Sequence, residues 1–113
     1  DIADVARVLL TSETHSNQAF DLTGGEALSH DEVAAILSAE LQRTITFDNI
    51  TPDAMRGGLL AAGLPEDYVA FMLTILHYFS LGAAARITDA VPAITGAAPR
   101  TFRQYARDYR DAF

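Results

Sequence analysis

The chain has 113 residues, 50% of them hydrophobic, and a formal net charge of -7; it is long enough for one small domain with a modest core. All fixed positive charge is arginine, since no lysine occurs. An acidic chain draws no phosphate backbone to itself, which argues against nucleic acid as a partner. Absence of cysteine removes disulfide frameworks and thiolate metal sites and suits a reducing, cytoplasmic setting.

Asp1-Ile2-Ala3-Asp4 is acidic where a secretory signal would be basic. Ile2, Val5, Ala6 and Leu9 fall at i, i+3, i+4 and i+7, the spacing of an amphipathic helix. A helix that opens at the first residue reads as belonging to a longer chain. Thr11 to Gln18 is polar and is expected to be a loop. Ala19-Phe20-Asp21-Leu22 is a strand candidate closed by the turn signal Gly24-Gly25.

Ser29 and Glu32 form a capping box, in which hydroxyl and carboxylate each satisfy a backbone N–H that the first helical turn leaves unpaired. The helix behind it would bury Val33, Ile36, Leu37 and Leu41. Ile45 to Ile50 mixes β-branched and aromatic residues and is a second strand candidate. Thr51-Pro52 starts another helix, with Thr as cap and Pro where its missing N–H costs nothing. Gly57-Gly58 weakens that helix and Gly63 ends it.

Pro65 opens the longest helix. Val69, Met72, Leu73, Leu76 and Phe79 make one apolar face and are expected inside the fold. Tyr68, Phe71, Ile75 and Tyr78 make a second, aromatic-rich face, with Thr74 and His77 between. No Asp, Glu or Arg occurs from Tyr68 to Ala85, but Thr74, His77, Ser80 and Gly82 favour a core helix over a membrane span.

Thr88 to Ile94 predicts a short helix stopped at Gly96, with Pro99 in the linker beyond it. Thr101 and Gln104 suggest a second capping box. The last helix would then bury Phe102, Tyr105, Ala106, Tyr109 and Phe113, leaving Arg103, Arg107 and Asp111 on a solvated face. The sum is an α+β, mostly helical chain of about five helices. Two isolated strands make a poor sheet alone, so they are expected to extend sheets outside this chain.

Recognisable catalytic motifs are mostly absent. No G-x-G-x-x-G follows a strand. Without lysine there is neither a P-loop nor a Tyr-x-x-x-Lys pair. His15, His30 and His77 are dispersed; in His30-Asp31-Glu32, neighbouring helical side chains diverge too far to share an ion, so the acids read as dipole partners. No catalytic, cofactor-binding or metal-ligating residue is therefore assigned. Phe71, Ile75, His77 and Tyr78 are the candidate substrate-binding residues, because aromatics supply flat, rigid area beside a hydrogen-bonding ring. The plain alternatives are a solvent-facing His77, and an aromatic face that meets only the preceding helix.

The order of elements carries a family likeness. Asp1-Ile2-Ala3-Asp4-Val5-Ala6 resembles the helix after the sixth strand of extended and atypical short-chain dehydrogenase folds. Ala19-Phe20-Asp21-Leu22-Thr23-Gly24, followed by Ala27-Leu28-Ser29 and Glu32, is similar to the strand, turn and capped helix of the same region. Thr88-Asp89, Ile94-Thr95-Gly96 and Pro99-Arg100-Thr101-Phe102 resemble the closing segment of NmrA-like proteins and the related NAD(P)H:quinone reductases.

The resemblance implies that residues 1–113 are a C-terminal substrate-binding lobe whose nucleotide-binding Rossmann half lies elsewhere. It implies NAD(P) in the parent protein but none on this chain alone, and a small-molecule substrate such as a quinone or similar carbonyl compound. Its expected partners are the missing half and, through exposed apolar surface, other copies of itself. The alternatives are a non-catalytic redox-sensing regulator on the same fold and a free-standing helical interaction module.

Overall fold

The computed structural model describes all 113 residues. Six α-helices follow one another: α1 Ile2–Thr11, α2 His30–Leu41, α3 Pro52–Ala61, α4 Glu66–Ser80, α5 Ala90–Thr95 and α6 Phe102–Asp108, with a 3-10 turn at Arg110–Ala112. They form two compact units, Asp1–Thr46 with Arg86–Phe113, and Phe47–Ala85. No helix is long and apolar enough to cross a membrane.

In the first unit α1 packs on α5 and α2 on α6. Val5, Val91 and Ile94 are its main core, with Val8, Leu9, Phe20, Leu22 and Ala90 packed around them. The expected inner face of α1 is therefore only partly right: Val5 and Leu9 turn inward, whereas Ile2 and Ala6 stay exposed. The capping box of α2 is complete. Ser29 Oγ accepts from the Glu32 N–H at 3.2 Å, and Glu32 Oε2 accepts from the Ser29 N–H at 2.7 Å. That N–H, with the Ser29 hydroxyl, holds the Glu32 carboxyl below its usual range.

Neither strand candidate pairs in a ladder among these residues, whose regular elements are all helices. A strand needs a neighbour whose backbone completes its ladder. Around 19–23 the chain supplies side chains instead. Thr88 Oγ1 donates to the Asp21 carbonyl at 2.6 Å, and the Thr88 N–H donates to Thr23 Oγ1 at 2.9 Å. Ile45 is likewise held by one hydroxyl: its N–H donates to Ser38 Oγ at 2.8 Å, and its carbonyl lies 3.0 Å from the same oxygen. These bonds hold part of the local backbone without a ladder.

The last helix departs further from expectation. Tyr105 and Tyr109 are 48% and 57% exposed, and Phe113 is also exposed. Only Ala106 is fully buried, with Phe102 partly covered. The helix is seven residues long, so Tyr109 falls at its cap rather than within its face. The rings cover one another: Tyr105 stacks at 5.0 Å on Tyr109 and meets Phe113 edge-on at 6.1 Å. At its start Thr101 Oγ1 accepts from the Gln104 N–H at 3.1 Å.

The arginine face is solvated as expected, and it is also ion-paired. Arg103 and Arg107 both reach Glu40 of α2, at 2.6 and 3.2 Å, and the Glu40 side chain is only 13% exposed. The Arg107 and Arg103 guanidiniums hold the Glu40 carboxyl below the usual carboxylate range. Ion pairs to Glu40 and the buried Ala106, rather than a tyrosine core, thus accompany the packing of α6 on α2.

The second unit is an α3–α4 pair. Thr51 Oγ1 caps α3 through the Ala54 N–H at 3.2 Å, and Pro52 occupies the first turn. Gly63, at φ +85°, makes the left-handed step that ends the pairing turn. Arg56 of α3 and Glu66 of α4 form an ion pair across it. Gly82, at φ +81°, stops α4 as expected.

Candidate functional site

Along α4 the two apolar stripes have different surroundings. Val69 is fully buried, and Met72, Leu73 and Leu76 are partly covered. The expected fifth member, Phe79, is 53% exposed instead. It lies in the last turn of α4, where the helix has run past its covered length.

The second stripe is open. Phe71 and Tyr78 are 58% and 62% exposed, Tyr68 is also exposed, and Ile75 is half-buried. At 100° per residue, Phe71 and Tyr78 project within about 20° of each other, with Ile75 on their flank. His77 is exposed but points about 100° away from Tyr78, so it borders this stripe rather than sharing it. The helix thus brings Phe71, Ile75 and Tyr78 together and leaves His77 at the margin.

One residue on the stripe was missed by reading for apolar spacing. Asp67 stands four residues before Phe71, so it projects on the same side of α4 as Phe71, Thr74 and Tyr78. Its Oδ1 accepts from the Tyr68 N–H at 2.9 Å, a first-turn bond, and no arginine pairs with it. The i to i+4 offset was available in the sequence as a signal. Thr74 Oγ1 donates to the Ala70 carbonyl at 2.9 Å, which ties its hydroxyl to the helix.

The remaining candidate chemistry is dispersed. His15 meets Phe20 edge-on at 5.5 Å, His30 opens α2 and His77 lies near the end of α4. The first unit carries two open hollows. One, of about 490 Å³, is lined by residues including Leu22, Thr23, Gly24 and Val91; the other, of about 690 Å³, by Gly25, Arg86, Thr88 and Pro99. Arg86 is engaged by Asp21 at 2.7 Å.

The glycines do not fit a dinucleotide pyrophosphate. Such a group is held by N–H groups at a helix N-terminus behind a glycine loop. Here the positive-φ glycines are Gly63, Gly82 and Gly96, each following the C-terminal end of a helix, where carbonyls repel phosphate. Gly57 and Gly58 lie inside α3.

No protein-family model matches the chain. Individual proteins do. An NAD(P)H azoreductase of Xenophilus azovorans is 37% identical over 113 residues, which is 100% of this chain and 40% of that protein. An uncharacterized oxidoreductase of Bacillus subtilis is 37% identical over 107 residues, 94% of this chain and 37% of its own length. Among solved structures, the Citrobacter triphenylmethane reductase complexed with NADP(H) superposes with a TM-score of 0.80 at 23% identity, over 92% of this chain and 36% of that one. The chain therefore spans about two fifths of the length of the curated relatives it matches. In sequence the chain is thus similar to part of NAD(P)H-linked oxidoreductases, and in fold to part of a triphenylmethane reductase.

Proposed function

We propose that this chain is the C-terminal, substrate-covering lobe of a longer NAD(P)H-dependent oxidoreductase. Phe71, Ile75 and Tyr78 form the wall against which a flat substrate lies, and His77 stands at the margin of that wall. The observation that carries this reading is the asymmetry of α4: Val69 is buried and Met72, Leu73 and Leu76 are partly covered, while the rings of Tyr68, Phe71 and Tyr78 are exposed. Large exposed rings gathered on one side of a helix mark a binding surface more than ordinary solvent-facing surface. The relatives' names supply the chemistry, NAD(P)H-linked reduction, and their greater length supplies room for the nucleotide half that these 113 residues do not provide.

NAD(P) belongs to that other half, and the substrate is a quinone or a similar small conjugated acceptor. The lobe acts by positioning the acceptor and excluding water. Of the alternatives, a non-catalytic regulator on the same fold has one point in its favour: a match of 23% identity to a Dictyostelium protein named for differentiation rather than for an activity. A free-standing helical module has less support, because the unit holding α4 fully buries only Val69.

The test compares this chain alone with the full-length protein that contains it. The chain alone is expected to bind neither NADH nor NADPH in calorimetry, and the full-length protein to oxidise one of them when given a quinone. Saturable micromolar binding by the 113 residues alone, or a full-length protein that binds NAD(P)H yet reduces no acceptor, would overturn the proposal.

A further inference from the structure

We infer that the first unit docks the nucleotide-binding half of the full-length protein through one face, made of the open side of α1 and the segment Ala19–Thr23. The inference rests on the reading of this chain as one lobe of a longer protein. Helical spacing puts Ile2, Ala6 and Leu10 within about 80° of one another on α1, with Ala3 beside them. All four are exposed, Ile2 by 73% and Leu10 by 86%. Val5, Val8 and Leu9 take the other flank and meet the core that α5 completes. So α1 is apolar on two sides, and one of them is uncovered. A helix of this kind belongs between two packed layers. Ala3 and Ala6 carry nothing beyond Cβ, so a second element can approach the α1 backbone closely.

The other part of the face is main chain. Phe20 and Leu22 pack on the core while Asp21 between them stays exposed, the alternation of a half-buried strand. The N–H groups of Phe20, Asp21, Leu22 and Thr23 donate to nothing within the chain, and of their carbonyls only that of Asp21 is taken, by Thr88. A segment with strand alternation and unmade main-chain bonds is a template for a neighbouring strand. Ile45–Ile50 offers no such template. Ser38 holds both the N–H and the carbonyl of Ile45, and the Ile50 N–H donates to the Asp48 carbonyl at 3.1 Å. The two parts of the face adjoin, because Ile2, Ala3, Leu22, Thr23 and Gly24 line the same hollow of about 490 Å³.

The size of the relatives says what covers this face. The azoreductase has about three fifths of its length outside the stretch that matches. A nucleotide-binding half of doubly wound form ends in an edge strand with open main-chain groups. That edge supplies the partner that Ala19–Thr23 lacks, and the helices packed on its sheet supply apolar cover for Ile2 and Leu10.

Two measurements on the full-length protein test this. In hydrogen exchange, the N–H groups of Phe20–Thr23 are expected to exchange roughly 100-fold more slowly than open-chain amides, and Leu10→Asp should speed them about tenfold. With a photoreactive benzoylphenylalanine in place of Leu10, irradiation should join position 10 to a peptide of the same molecule from outside these 113 residues. Free exchange at Phe20–Thr23, a cross-link between two molecules, or no cross-link at all overturns the inference. NAD(P)H oxidation with a naphthoquinone separates it from the function proposed above. Turnover with an open Phe20–Thr23 segment fails the docking face alone, whereas a protected, cross-linked face without turnover supports the docking face and fails the oxidoreductase reading.

Discussion

The two units of this chain are built from helices of similar apolar content, yet they use that content differently. Asp1–Thr46 with Arg86–Phe113 closes Val5, Ala34, Val91, Ile94 and Ala106 away from water. It adds cross-links between helices, above all Glu40 of α2 with Arg103 and Arg107 of α6. Phe47–Ala85 fully buries Val69 and leaves Tyr68, Phe71, Tyr78, Phe79 and Leu81 open. A unit of fewer than about 40 residues has little core to draw on. The first unit spends its apolar residues on cohesion, and the second keeps much of its apolar surface available for contact.

The largest expected effect separates the units by stability. Ile94→Ala removes a side chain that is 8% exposed and lies in the main core, and it should cost about 3 kcal/mol in urea unfolding. Tyr78→Ala, on the open stripe, should cost under about 0.5 kcal/mol. Equal midpoint shifts would erase the distinction between the units.

Loss of a single cap comes next. Ser29→Ala removes the oxygen that receives the Glu32 N–H and leaves the Glu32 carboxylate without its hydroxyl partner. The expected cost is about 1 kcal/mol, with α2 frayed at its start in hydrogen exchange. Thr74→Ala on the open face should change exchange of α4 far less.

A pH titration sharpens the contrast further. The folded-state pKa of Glu40 is depressed by Arg107 and Arg103. Its contribution to stability is therefore present above the unfolded carboxylate value and lost as pH falls through the depressed one. Hydrogen exchange of α2 and α6 should accelerate across that acidic window, and Glu40→Gln should flatten the response. An unaltered pH response in Glu40→Gln would show that this cluster does not hold the two helices together.

Much of this was legible in the sequence, and what was not has identifiable physical causes. Local signals transferred well: Ser29 with Glu32, Thr51 with Pro52, and the stops at Gly82 and Gly96 all act where their chemistry says they should. The division of α4 into Val69, Met72, Leu73 and Leu76 against Phe71 and Tyr78 was also readable, because helical spacing fixes it. What covers each stripe is a tertiary fact that spacing does not encode. Hence Tyr105 and Tyr109, correctly spaced for a core, stand exposed, while Ala106 takes the buried place. The β-branched segments form no ladder here for a related reason: propensity at Ile45–Ile50 supplies no partner, and within this chain Ser38 satisfies Ile45. Glu40 was unreadable as the anchor of α6, since its arginines lie 63 and 67 positions away.

An equally small structural effect is expected at Tyr109, where truncation to alanine should shift the denaturant midpoint by less than the equivalent of about 0.5 kcal/mol. A loss near the value for Ile94→Ala would put that ring in the core after all.

The central claim, that the open stripe of α4 serves recognition rather than cohesion, is tested most directly by Phe71→Ala in the full-length protein. Steady-state kinetics with a naphthoquinone and NAD(P)H are measured beside a urea unfolding curve. kcat/KM is expected to fall about tenfold or more, mainly through KM, with a midpoint shift worth under about 0.5 kcal/mol. An unchanged kcat/KM, or a loss of stability as large as that of Ile94→Ala, would contradict it.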